Sequence, residues 1–260
     1  MKKLIAAAMA LLLTLTVCAS CAPAGKTLDE VLAAGELVVA TSPDFPPFEM
    51  YEDEENSAGA VIGIEIELMQ LICAELGVTM NLKTMNFDSI LTGVQTGKFD
   101  CGVSGISVTP AREKKILFTD AYCLAAQCIV VRADSTIASK ADLAGKTVSV
   151  QTGTTAEEAC MEEGYNVLSF ENNTEAKGAL AERADAWVVD NLTALQMVAE
   201  GDGLVVLDEE LTKEPYAFAF CKGSETLVAE INRILEGLIA DGTIKAIFEK
   251  YGEDYVAPAN

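Results

Sequence analysis

The chain has 260 residues, is 50% hydrophobic, and carries a formal net charge of −22 without a single histidine. That length and apolar share suffice for one large domain or two small ones. The acid excess excludes nucleic acid, which needs a basic footprint, and the lack of histidine removes histidine metal sites and every histidine-based catalytic triad.

The first twenty residues read as a targeting leader. Lys2 and Lys3 form a positive end, and an apolar run over 4–17 follows, too short to span a bilayer comfortably. It ends in Cys18-Ala19-Ser20-Cys21. Small residues before a cysteine resemble the lipobox of bacterial lipoproteins, which implies cleavage before Cys21 and a lipid anchor on its sulfur. Cys18 is the second choice, because Val17 is large for a cleavage site. Beyond Cys21 stand Cys73, Cys101, Cys123, Cys128, Cys160 and Cys221. An even count in an exported chain invites disulfides. The spacings hold no CxxC, however, and most of these cysteines sit in apolar runs, so buried thiols acting as small hydrophobes are expected.

After a short tether, Thr27 is placed to cap a helix Leu28–Ala34, stopped by Gly35. Glu36–Thr41 reads as a buried strand and runs into a loop stiffened by three prolines, which carries Phe45 and Phe48. An acidic hairpin tip follows over 51–58. Apolar spacing predicts a helix Ile64–Leu76 with Gly77 as its stop, then an alternating strand over 78–82. Asp88 is expected to cap the next helix, and 99–103 to form a strand. Strand, helix, strand, helix, strand implies an α/β half with a parallel sheet.

An extended connector is expected over 122–132, after which the pattern restarts. Ser139 caps a short helix; strands are predicted over 146–150, 165–170, 184–189 and 204–207, with helices after 151–155, over 174–180 and from Asp190 to 199. A second extended run, 216–221, looks like a return connector. Ser224 is expected to cap a long amphipathic helix broken at 241–243, and a last helix over 244–251 lies back on the first half. The chain thus reads as two α/β lobes joined by two crossings.

Ligands of open parallel sheets sit outside the carboxyl ends of the strands. Four segments fall at such ends: 42–48 and 104–112 in one half, 151–155 and Asp190 in the other. In the second of these, Ser-Gly-Ile-Ser-Val-Thr-Pro-Ala-Arg (104–112), Ser104 and Ser107 offer hydroxyls, Gly105 permits close approach to the backbone, and Arg112 presents a planar fork that matches a carboxylate. The stretch Thr-Gly-Thr-Thr (152–155) opens a helix, where free N–H groups favour an anion or where threonine simply caps. Asp190 suits an ammonium or caps the following helix. Phe45 and Phe87 serve either as an aromatic wall or as core.

The order of several pieces resembles the bacterial solute-binding proteins of family 3, which serve amino-acid ABC importers. The pieces are Leu-Val-Val-Ala-Thr-Ser-Pro-Asp-Phe-Pro-Pro-Phe-Glu (37–49), Gly-Ile-Glu-Ile-Glu-Leu (63–68), Phe-Asp-Cys-Gly-Val followed by 104–112, Phe-Thr-Asp-Ala-Tyr (118–122), Gln-Thr-Gly-Thr-Thr (151–155), Ala-Asp-Ala-Trp-Val-Val-Asp (184–190) and Asp-Gly-Thr (241–243). The resemblance implies a type II periplasmic-binding-protein-like clamshell with two hinge strands: leader 1–20, tether and first helix 21–35, first lobe 36–126, second lobe 127–218, and a return to the first lobe over 219–260.

It further implies that Arg112 grips an α-carboxylate with help from the N–H of Thr155. Asp190 would hold the α-ammonium with the Gly105 carbonyl and the Ser107 hydroxyl, Phe45 and Phe87 would flank the side chain, and Gln151 would set side-chain preference. Ser42 stands where many relatives that bind basic or amide side chains carry aspartate, and Glu65 replaces the more usual aspartate of the family's Gly-Phe-Asp pattern. A polar ligand is expected, since Gln151, Ser42 and Ser104 leave hydrogen-bonding capacity; a cationic one is reachable through Asp44, Glu49 or Glu65. The expected partners are a free L-amino acid, an ABC permease and the membrane through Cys21, outside the cytoplasm, with the protein a monomer and without cofactor. The rival readings are a dehydratase-like enzyme on the same scaffold and a ligand-sensing domain.

Overall fold

The computed structural model describes residues 25–53 and 56–258. The leader, with Cys18 and Cys21, lies outside them. The first helix, Leu28–Ala34, is set by its ends. Thr27 and Glu30 close a capping box at one end, and Gly35 stops the other at φ 69°, a left-handed conformation that glycine takes without steric cost.

Two lobes follow, each built on a five-stranded sheet. In the first, Glu36–Thr41 pairs in parallel with Thr79–Thr84 on one side and Cys101–Gly102 on the other. Ala219–Phe220 then pairs antiparallel with Cys101–Gly102, and Leu117–Phe118 closes the sheet antiparallel to Ala219–Phe220, in the direction of the first three strands. In the second, Thr147–Gln151 lies parallel to Asn166–Phe170 and Ala186–Asp190, while Gln127–Arg132 and Leu204–Val206 extend the sheet in antiparallel fashion. The expected parallel sheet is therefore mixed, because one strand in each lobe, Ala219–Phe220 and Gln127–Arg132, runs against both of its neighbours.

Alternation along the central strands explains why both faces are covered. Leu37 and Val39 point into one apolar cluster with Leu68, Ile72, Phe220 and Phe248, whereas Ala40 faces another with Phe87, Ile90 and Ile106. In the second lobe Val148, Val150 and Val188 fill one side, and Trp187, Val189 and Val130 the other. The long helix Glu225–Ala240 buries Leu227, Ile231, Ile234 and Leu235 on its inner stripe.

The two extended runs meet. Cys123–Ala125 and Glu214–Tyr216 pair as a two-stranded antiparallel ribbon between the lobes. Local differences from expectation are small. Asn86, not Asp88, precedes the helix Phe87–Gln95, and Asp88 falls in its first turn, where an acid favours the helix dipole. Ser224 holds the N-cap position but makes no side-chain cap bond. Only Cys101–Gly102 of the expected strand 99–103 pairs in the sheet. Cys73, Cys101, Cys123, Cys128 and Cys160 are buried free thiols. Burial pushes Cys128 and Cys160 up to about 12, so they act as packing groups.

Candidate functional site

The facing ends of the two sheets enclose a cleft of ≈ 430 Å³, counting its open mouth. Most segments that line it leave the carboxyl end of a strand or belong to the hinge ribbon; Gln127 lines it from the start of the reversed strand Gln127–Arg132. All nine residues expected at the site, namely Phe45, Phe87, Ser104, Gly105, Ser107, Arg112, Gln151, Thr155 and Asp190, border this one cleft.

Arg112 sits in the single-turn helix Pro110–Glu113, which begins where Pro110 fixes φ and Thr109 caps the Arg112 amide. Its guanidinium donates to the Ser107 carbonyl at 2.9 Å and to the Gly153 carbonyl of the other lobe at 3.1 Å, and lies 5.9 Å from the Phe87 ring centre. Burial lowers its pKa, opposed by Glu158 and Glu214, yet an arginine stays charged. Gly105 adopts φ 53°, and a Cβ there would meet the Phe45 ring at 2.4 Å, so this aromatic packs directly on glycine backbone.

On the opposite wall, Asp190 ends the strand Ala186–Asp190 and caps the helix Asn191–Met197 by accepting from the Leu192 amide. It also accepts from the Tyr216 hydroxyl at 2.6 Å. Capping and a cleft position thus coexist in one side chain. Burial raises its pKa to about 7, helped by nearby Glu214 and opposed by the Tyr216 bond. Thr155 opens the helix Thr155–Glu162, which Thr154 caps, so the helix start faces the cleft.

The polar side-chain end of the cleft is built from both lobes. Asp44 accepts from Ser42 Oγ at 2.6 Å, from Gln151 Nε2 at 3.0 Å and from the Asn173 amide at 2.8 Å. Burial raises the Asp44 pKa against those donors. Of the three acids expected to reach a cationic ligand, only Asp44 borders the cleft; Glu49 and Glu65 are fully buried behind it.

Glu214 escaped the sequence reading. From the hinge ribbon its Oε2 accepts from Ser107 Oγ at 2.5 Å, Thr155 Oγ1 at 2.7 Å and Gln127 Nε2 at 3.4 Å, tying the two lobes' hydroxyls to one carboxylate. An acid two residues before Tyr216, at the head of an apolar crossing, carries no motif that marks it as a site residue. Tyr216 and Asn173 were missed too, since a tyrosine and an asparagine carry no motif until the fold points them inward.

The family description "Bacterial extracellular solute-binding proteins, family 3" matches residues 37–254. The L-cystine-binding protein TcyJ of Escherichia coli K12 is 30% identical over 230 residues, covering 86% of this chain and 85% of that protein. The arginine-bound form of truncated ArgBP from T. maritima superimposes with a TM-score of 0.76 at 38% identity, covering 81% of this chain and 99% of that one. The ancestral amino acid-binding protein AncCDT-1, a precursor of cyclohexadienyl dehydratase, gives 0.79 at 37% identity, covering 87% and 99%. The chain belongs to family 3 of the bacterial extracellular solute-binding proteins.

Proposed function

We propose that the cleft clamps a free amino acid outside the cytoplasmic membrane for delivery to an ABC permease. The observation that carries this reading is that a guanidinium from one lobe and a carboxyl from the other border one gap. Arg112 takes the α-carboxylate together with the N–H groups at the start of the helix Thr155–Glu162, and Asp190 takes the α-ammonium beside Ser107 and the Gly105 carbonyl. Phe45 and Phe87 sandwich the ligand's stem.

The side chain then points to Asp44, Gln151 and Asn173. Among the described residues the cleft as a whole holds more acids than cations: Asp44 and Asp190 line it and the hinge residue Glu214 stands beside it, against Arg112. A cationic side chain of the arginine kind answers this charge better than the neutral polar one expected from sequence. The arginine-bound relative supports the same choice. Closure pairs each buried charge with an opposite one on the ligand, so ligand shifts the population toward the closed form. Cys21 carries a lipid anchor in this reading, and the protein acts as a monomer.

A thermal-shift screen against the amino acids and cystine tests the proposal. Arginine is expected to raise the melting temperature in proportion to the logarithm of its concentration. A flat response to every amino acid, with turnover of a prephenate-like acid instead, would transfer the site to the dehydratase reading that the AncCDT-1 likeness keeps in view.

A further inference from the structure

Behind the cleft lies a pair of carboxyl groups that the binding chemistry above does not use. Glu49 opens the strand Glu49–Asp53, and Glu65 stands in the first turn of the helix Ile64–Leu76. Both are 0% exposed. Gly63 brings them together. It holds φ 135°, and a Cβ there would meet the Phe48 carbonyl oxygen at 2.1 Å, so only glycine lets the helix start against the loop before Glu49.

Each carboxyl holds one of two successive residues of the ligand loop. Glu49 Oε1 accepts from Ser104 Oγ at 2.8 Å, and that oxygen in turn accepts from the Ser42 amide at 3.2 Å. Glu65 Oε2 accepts from the Gly105 amide at 2.8 Å, and its Oε1 from the Tyr122 hydroxyl at 2.5 Å. Among the described residues neither carboxyl has a cationic partner. The groups that face the pair are Asp44, Ser104, Gly105, Tyr122 and the thiols of Cys101 and Cys123, none of them positive. Two ionised carboxylates cannot share such a place. Both Glu65 oxygens accept from donors, whereas Glu49 Oε2 finds no donor among the described residues, and the hydrogen bond between the two carboxyls raises Glu49 and lowers Glu65, so the shared proton sits on Glu49 and is donated to Glu65. Burial first, and the neighbouring Glu65 second, push the Glu49 carboxyl well above its ordinary range.

We infer that Glu49 and Glu65 form a singly protonated pair of positioning residues that fixes the Ser104 hydroxyl and the Gly105 peptide for the ligand's ammonium end. The inference rests on the amino-acid reading above. Its consequence follows from the sign of the charge. With no cation beside it and no exposure to solvent, the pair holds its proton to higher pH than an ordinary glutamic acid does. As pH rises toward the raised value, a second negative charge appears beneath the loop, and the loop loses its fixed geometry.

The test is calorimetric titration of the full mature chain with L-arginine across neutral to alkaline pH, on wild type, Glu49→Gln and Glu65→Gln. Wild type is expected to lose affinity about tenfold more than Glu49→Gln on the alkaline side, since glutamine mimics the protonated acid and cannot ionise. Glu65→Gln is expected to bind about tenfold more weakly at every pH, because one donor among Gly105 N–H and Tyr122 O–H then faces an amide N–H. Superimposable pH profiles for wild type and Glu49→Gln would overturn the inference, a result that a merely structural role would give. Should no amino acid bind, the Gly105 amide resonance of isotope-labelled, ligand-free protein still decides. It titrates in wild type and not in Glu49→Gln if the pair exists, and behaves alike in both if it does not.

Discussion

The two walls of the cleft hold charge by opposite means. The first lobe displays a cation, Arg112, whose guanidinium is tethered by backbone carbonyls, and hides its acids Glu49 and Glu65 behind the loop. The second lobe displays an acid, Asp190, held by a helix start and a tyrosine hydroxyl. The cation keeps its charge because carbonyl oxygens solvate it. The acid also has its donors, the Leu192 amide and the Tyr216 hydroxyl, yet burial leaves it half-way to neutral near pH 7. The first wall is thus a fixed electrostatic feature, whereas the second is one that a bound ammonium switches fully on.

The largest effect expected from breaking this contrast is at Arg112. Arg112→Ala removes the guanidinium that, among the described residues, alone borders the cleft, and should weaken arginine binding by about 3–5 kcal/mol, a hundredfold or more. Near-normal affinity by calorimetry would show that the first wall does not hold the carboxylate.

The second wall gives a pH signature. In the ligand-free protein Asp190 has its pKa raised by burial to about 7 from an ordinary 3.8. A raised value means that its contribution to stability is complete below the ordinary carboxylate range and is lost as pH rises to about 7, by up to about 4 kcal/mol. Denaturant melts of ligand-free wild type should show that slope between those limits, and melts of Asp190→Asn should lack it. Ligand reverses the preference, because an ammonium favours the ionised acid. Binding near pH 6 should therefore release a proton, read from calorimetric enthalpies in buffers of different ionisation heat.

Asp44 sharpens the comparison at the end of the cleft where both walls meet. Asp44→Asn keeps hydrogen-bonding capacity but removes charge, and should cost arginine about 1.5–3 kcal/mol while leaving a neutral ligand such as glutamine less affected. An equal loss for both would make Asp44 a bridge between lobes and not a selector. The smallest effect belongs to Glu214→Gln. The Ser107 and Thr155 hydroxyls would then donate to a neutral amide and not to a carboxylate, and arginine affinity should fall by about 1 kcal/mol, mostly as faster release. Stopped-flow dissociation would expose it.

Much of this site was readable before folding. Arg112 after Pro110, the threonine run 152–155 and Asp190 at a strand end announce their chemistry by residue type and position, because strand ends and helix starts are local events. Glu214 and Asn173 were not readable. Glu214 lies in a crossing with no helix or turn signal, and its role exists only because the ribbon carries it between Ser107 and Thr155. The ambiguity among Asp44, Glu49 and Glu65 shows the same limit. All three acids lie near the first lobe's ligand segments in sequence, and only packing decides that Asp44 faces the gap while the other two face each other.

The sequence by itself determined the apolar periodicity of each lobe, the helix starts and stops, and the residue types at the strand ends, since these follow from contacts within a few residues along the chain. Tertiary structure alone decided that the sheets are mixed, that a guanidinium and a carboxyl from distant segments share one cleft, and that Glu49 and Glu65 lie beside each other without a cation. Those outcomes depend on how the two crossings pair and how each lobe packs, and the cost of burying charge depends on every neighbour in space and on very few in sequence.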